Sequence, residues 1–234
     1  ISLGNTHQDG IISSTGMDRY NVKVSADTKL TNNWSSGFTA NYITTSIDKA
    51  VTSGNGLLRT VYAAPPSYDL AGIPSHVDGN PYTQNSFRGS FDNAYWAMEN
   101  NKFTEDTNRF FGNVYASYQT DFGTTNHKLN AKYMVGVDAY TTHYVDSYGY
   151  GSNTGGGRGQ IENYGWTNAT YNSLLTINYD WHINEDWGLN AVVGNEIIQS
   201  NRKKYYEYGT NYNFPGWNHI NNATTQQTEE ETWK

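Results

Sequence analysis

From Tyr20 to Leu30 the chain alternates without a break: Tyr20, Val22, Val24, Ala26, Thr28 and Leu30 fall on one side, Asn21, Lys23, Ser25, Asp27 and Lys29 on the other. After Thr31, Asn32 and Asn33 the alternation restarts at Trp34, with Phe38, Ala40 and Tyr42 opposite Ser35, Thr39 and Asn41. A period of two broken by a short polar turn predicts a β-hairpin. The signal returns at Phe110, where Gly112, Val114, Ala116 and Tyr118 oppose Asn113, Tyr115, Ser117 and Gln119. A tight turn at Gly123-Thr124-Thr125-Asn126 leads into the longest run, with Leu129, Ala131, Tyr133, Val135, Val137, Ala139 and Thr141 on one face. Asn130, Lys132, Met134, Gly136, Asp138, Tyr140 and Thr142 take the other. Further strands are predicted from Trp166 to Ile183 and from Leu189 to about Tyr205, joined at Asn184-Glu185-Asp186. Ile1 to Gln8 reads as the end of a strand, giving about seven in all, and Asn211 to Lys234 reads as polar and irregular. Ordinary globular strands average about five or six residues. Runs of about ten are what a tilted strand needs to cross a bilayer.

The stretches between strands fall into two classes. Short turns near Asn32, Thr124 and Glu185 alternate with long connections at Asp9 to Gly16, Asp48 to Glu105, Ser147 to Gln160 and after Tyr208. Residues 48–105 show no sustained period and hold Pro65, Pro66, Pro74 and Pro81, which predicts a long functional loop with a short helix near Asn93 to Met98. An outer-membrane barrel has this asymmetry, with tight periplasmic turns and long extracellular loops. Trp34, Phe122, Trp181 and Trp187 sit beside the tight turns, where an interfacial aromatic girdle belongs. Aromatic residues favour strands in any case, but their position beside the turns supports the girdle. The predicted fold is therefore all-β: an antiparallel transmembrane β-barrel of which about seven strands are present. Bacterial single-chain barrels have even strand numbers, and both chain ends read as broken off, so the expectation is a piece of a longer polypeptide.

Composition fits a sheet that is wet on one side. Hydrophobic residues make up 36% and mean hydropathy is −0.76, yet 20 Tyr and 7 Trp lift the aromatic share to 15%. A disordered chain would lack the aromatics, and a conventional core would want more Leu, Ile and Val. Net charge is −7 without a basic stripe, which argues against nucleic acid as a partner. Cysteine is absent, excluding disulfides and thiolate metal sites. The six histidines lack metal-type spacing, and neither a nucleophile elbow nor a phosphate loop occurs, so no metal, cofactor or catalytic residue is expected and the chain reads as a non-enzyme. Asp69, Asp78 and Asp92 read as solvated loop acids.

Candidate ligand contacts come from two places. The polar strand faces would line a lumen of mixed sign, with Lys132 and Asp138 among them. The long loop adds Tyr68, Tyr82, Phe87, Arg88, Tyr95 and Trp96, whose rings suit sugar faces or peptide side chains while Arg supplies fixed hydrogen bonds. The competing expectation is that these rings pack the loop against itself. A secreted β-sandwich that binds carbohydrate is the alternative to a barrel, and it predicts strands of about six residues. A glycan-cleaving enzyme would need a close carboxylate pair, which the sequence does not reveal.

Several short runs carry a family resemblance. Ser2-Leu3-Gly4 to Asp9-Gly10-Ile11, Arg19-Tyr20-Asn21, Asn100-Asn101-Lys102-Phe103, and Arg109-Phe110-Phe111-Gly112-Asn113-Val114 are similar to barrel strands of SusC/RagA-like TonB-dependent transporters. So are Gly194-Asn195-Glu196 and Asn213-Phe214-Pro215 to Asn221-Asn222-Ala223. The resemblance implies a barrel of about 22 strands in the bacterial outer membrane, of which this chain is an early part. It implies import of oligosaccharides or peptides, driven by the TonB complex through an N-terminal part that this chain lacks. It also implies a SusD-like surface lipoprotein over the extracellular loops and outer-membrane lipid around the wall. It supplies no catalytic residues.

Overall fold

Alternation along the chain becomes a single antiparallel meander. The computed structural model describes residues 1–51, 56–123 and 126–233; Thr124, Thr125 and Lys234 of the sequence expectations lie outside them. In chain order the strands are β1 (Ser2–Asp9), β2 (Gly16–Lys29) and β3 (Trp34–Asp48). A connection then carries helix α1 (Leu57–Ala63), a small hairpin of β4 (His76–Val77) and β5 (Asn80–Gln84), and helix α2 (Ala94–Asn100). The sheet resumes with β6 (Lys102–Phe122), β7 (His127–Tyr148), β8 (Gln160–His182), β9 (Gly188–Tyr212) and β10 (Ala223–Trp233). Eight of these strands form one open sheet in the order β1-β2-β3-β6-β7-β8-β9-β10, with β1 and β10 at its edges.

Register carries each strand's alternation across the sheet. Leu3, Val22, Tyr42, Phe110, Ala139 and Ala169 stand side by side on one face, and Ala26, Phe38, Val114, Val135 and Ile197 share a lower level of it. The other face carries Lys23, Asn41, Phe111, Asp138, Thr170 and Ser200 in register. On the apolar face Val22, Val114, Val135 and Val193 are 40%, 53%, 42% and 68% exposed, so no described part of the chain covers this face. The only other sheet among the described residues is the two-stranded β4–β5 pair, so no sandwich partner packs on the large one.

The apolar band also slides along the strands. Its top residue is Tyr20 in β2, in register with Thr141 of β7, and Ile197 in β9, in register with Val135. From 141 to 135 is a drop of six residues over the five steps from β2 to β9. At ~3.4 Å per residue and ~4.8 Å between strands, a level band requires the strands to lean by ~40°. Above the band the same face turns polar, at Thr44, Asn108, Thr141, Thr167 and Lys203.

The tight turns explain the placement of two tryptophans. Thr31 Oγ1 accepts from the backbone N–H of Asn33 and Trp34, at 3.3 and 3.1 Å, and Leu30 N donates to Trp34 O at 2.9 Å. Asn184 Oδ1 does the same for Asp186 and Trp187, at 3.0 and 2.9 Å, with Ile183 N donating to Trp187 O at 2.9 Å. In both turns a side-chain oxygen satisfies the donors that the reversal strands, and the ring lands at the strand's foot. Trp34 packs on Tyr118, while Phe122, His127 and Trp181 form a neighbouring stack.

Two expectations need correction. The sheet has eight strands rather than seven, because the tail expected to be irregular forms β10. That strand reads ATTQQTEEETW and pairs with Arg202 to Tyr212, the part of β9 above the band, where nothing requires apolar side chains. Strand β6 begins at Lys102 and β3 ends at Asp48, which leaves the connection at 49–101. The expected short helix is α2.

Burial is concentrated in the long connection and at the upper strand ends. Phe91, Ala94, Trp96 and Ala97 are buried in the connection, and Ile161, Tyr212 and Ala223 cluster where the β9–β10 loop folds back. Asp92 fastens this cap and is not the solvated acid expected from sequence. It is 2% exposed and accepts from Gln84 Nε2 at 2.8 Å, Ser152 Oγ at 2.6 Å, and both Asn153 N and Asn153 Nδ2 at 2.8 Å. The long connection and the Gly-rich loop are thereby joined through one carboxylate.

Candidate functional site

The inner, polar face offers two concave regions. The lower, of about 630 Å3, lies across β2 to β8 between Lys23, Asn41, Phe111 and Asp138. Arg109 grips Asp138 with both arms of its fork, Nε to Oδ1 at 2.8 Å and an Nη to Oδ2 at 2.5 Å, and stacks over Phe111 at 5.0 Å. Lys132 lies 4.3 Å over the ring of Tyr115, whose hydroxyl donates to Asp27 at 2.7 Å. Lys132 and Asp138 thus share the inner face, each already engaged with a neighbour.

The upper region is an aromatic tier built by strand ends that rise above the apolar band. Glu105, Tyr144, Tyr164, Tyr206 and Glu229 form one row, with Phe103, Asp146, Glu162, Tyr208 and Gln227 above it and Thr142, Trp166, Lys204 and Glu231 below. Tyr144 and Tyr164 stack at 4.8 Å with 6° between planes, and Trp166 tilts against Tyr144 at 5.4 Å. Cations sit on the rings: Lys49 Nζ is 4.5 Å above Tyr144, and Arg202 lies 5.3 Å from Trp166 and 5.7 Å from Trp233. Tyr164 donates its hydroxyl to Asp146 at 3.1 Å. Burial, reinforced by the charges of Asp146 and Glu105 respectively, pushes the Tyr164 and Tyr144 phenols above their ordinary range, so both remain hydrogen-bond donors at neutral pH.

The loop candidates divide between surface and interior. Trp96 is 0% exposed and gives its indole N–H to Pro81 O at 2.8 Å, so it fills the cap and is not positioned to meet a ligand. Tyr68, Phe87 and Phe91 form a chain of tilted rings, 5.4 and 5.6 Å apart, with the exposed Arg88 5.6 Å from Phe91. Tyr82 borders a hollow of about 310 Å3 with Glu99, Tyr150 and Asn218. Tyr95 is exposed at the start of α2, its backbone N–H capped by Asn93. The structure does not gather these six into one site. The tier of Tyr144, Tyr164, Trp166 and Tyr206 was missed, although its signal was present: aromatics at two-residue spacing in the polar phase of the strands, just beyond the point where the apolar phase ends.

At the level of sequence, no family model and no curated protein matches the chain. Solved structures do match. The RagAB peptide importer in the closed-closed state superposes with a TM-score of 0.71 over 98% of this chain at 13% identity. The open-open state gives 0.71 over 98% at 12% identity, and another structure of the RagAB peptide transporter gives 0.68 over 97% at 12%. In each case the match covers 26% of the solved chain, so this chain spans about a quarter of the length of the proteins it resembles. The likeness establishes the fold.

Proposed function

We propose that this chain is part of the wall of an outer-membrane β-barrel transporter of the SusC/RagA kind, which imports peptides or oligosaccharides. On this reading the long connections face outward beneath a SusD-like lipoprotein, TonB supplies energy through a part of the protein outside this chain, and the wall itself catalyses no reaction. The observation that carries the reading is the sliding apolar band. Its large side chains are exposed, and the lean of ~40° that levels it falls within the ~35–45° tilt of membrane barrels. On β7 the band runs from Leu129 to Ala139, ~34 Å along the strand, which at that tilt approaches the ~25 Å apolar height of such barrels. No helix among the described residues is long and apolar enough to cross a membrane. Peptide is the substrate of the solved transporters this chain resembles, and the aromatic tier suits either substrate class. A carbohydrate-binding sandwich is disfavoured by strands of 21 to 25 residues and by the absence of a packing sheet among the described residues.

Single cysteines at Val24, Val135, Lys23 and Lys132 test the orientation. A lipid-soluble thiol reagent should label the first two and a membrane-impermeant one the last two, in the whole protein reconstituted in vesicles. The reverse pattern would remove the barrel assignment.

A further inference from the structure

Above the apolar band, a hollow of about 590 Å3 opens on the inner face between the first loop and strands β6 to β8. Ile11, Ile12, Phe103 and the rings of Tyr148 and Tyr164 form its large apolar and aromatic lining. Of the residues that line it, Lys49 alone is cationic and Asp146 alone is acidic. Lys49 is already engaged, its ammonium seated over Tyr144 and 3.7 Å from Glu105. Among the described residues, no cation pairs with Asp146. Its Oδ2 accepts from Tyr164, while its Oδ1 is shut off from solvent without a hydrogen-bond partner. Glu162 stands directly opposite on β8 and adds a second negative charge to the same level. Like charges opposed across a sheet repel, and a buried oxygen without a donor costs free energy that an arriving donor recovers. Asp146 lines the hollow and the terminal torsion of an aspartate is broad, so the carboxylate is free to turn toward an arriving donor.

Lys49 displays what this wall accommodates: an ammonium held between a phenol face and a carboxylate. We propose that the hollow is a second such seat, a subsite that takes a primary ammonium group of a peptide substrate. Asp146 receives the charged hydrogen bond, Tyr148, Tyr164 and Phe103 flank the cation, and Ile11 and Ile12 cover its aliphatic stem. The inference rests on the import reading above and narrows it to peptides that carry an accessible amine. A lysine side chain and a peptide N-terminus both offer that group.

Binding to the whole transporter in detergent tests this, read by fluorescence anisotropy with three labelled hexapeptides. One carries a lysine and an acetylated N-terminus, one a free N-terminus without lysine, and one neither. At least one amine-bearing peptide should bind about tenfold or more tighter than the neutral one, as charge-assisted hydrogen bonds do over neutral ones, and which of the two does so identifies the source. Asp146→Asn should bring the three within about twofold of each other, and Asp146→Glu should restore part of the preference. Migration of the unheated variants on gels reports whether the barrel has folded. Equal binding of all three by the native protein, or a preference that persists in folded Asp146→Asn, overturns the subsite. Cellular uptake separates the two claims. Import of the neutral peptide by native and Asp146→Asn protein alike, without amine preference, leaves transport standing and removes the subsite. A clear amine preference in binding, with no uptake of any peptide or oligosaccharide, upholds the subsite and removes the transport reading.

Discussion

Asp92 and Asp138 are both aspartates with good hydrogen-bond geometry, and they differ in what their loss should do. Asp92 is buried and accepts four hydrogen bonds from Gln84, Ser152 and Asn153. Asp92→Ala strands those donors inside the cap, and each buried unsatisfied group costs ~1–3 kcal/mol. Hydrogen exchange should speed up at 84–101 and 149–157 while the strands below the cap keep their protection. Unchanged exchange in the Gly-rich loop would mean that the carboxylate does not hold it. Asp138 faces Arg109 with the two side chains 37% and 45% exposed, so solvent already screens the pair. Asp138→Asn should change the stability of the whole protein by no more than ~1 kcal/mol in a denaturant titration. A loss several times larger would show that the pair is shielded in the assembled barrel. Neither distinction was legible in the sequence. Three of the four hydrogen bonds to Asp92 come from Ser152 and Asn153, 60 and 61 residues beyond it, and nothing local separates a carboxylate awaiting such distant donors from one awaiting water.

Strands were legible wherever one face is apolar. Val22, Val114, Val135 and Ile177 mark β2, β6, β7 and β8 by period alone, since a slip of one residue would put every such side chain on the wrong face. That signal stops where the band stops. The upper ends of β6 to β9 and all of β10 stand clear of it, held by backbone pairing with neighbours, so their polar sequences read as loop. The same limit hid the aromatic tier, which belongs to those upper ends. The band is therefore a chemical boundary within continuous strands, and β7 allows it to be tested on one face of one element. Val135 lies near the middle of the band and Thr141 just above it, both on the outer face. In the whole protein, folded into lipid vesicles and titrated with urea, Val135→Arg should cost ~2–4 kcal/mol, against ~0–1 kcal/mol for Thr141→Arg near the interface. Equal costs would mean that the exposed apolar face does not lie in lipid.

At the scale of the molecule, the sheet is left with unmatched backbone on both flanks. Strand β1 covers β2 only from Gly16 to Lys23, so Val24 to Lys29 face no described neighbour on that side. Strand β10 covers β9 only from Arg202 to Tyr212, so Gly188 to Asn201 face no described neighbour on the other. Both uncovered stretches include levels of the apolar band, where water is absent if the face lies in lipid. There each unpaired N–H or C=O costs several kcal/mol, and an open edge invites pairing with other chains. On the import reading, strands outside this chain supply the partners of both edges. The solved transporters, of which the match covers 26%, have room for them. Residues 1–234 expressed alone should therefore fail to insert as a monomer, appearing as aggregate without a compact, heat-sensitive band on unheated gels, while the whole protein gives that band. A fragment that folded alone into a monomeric, protease-resistant species in detergent would show that these eight strands satisfy their own edges, and the larger wall would lose its physical necessity.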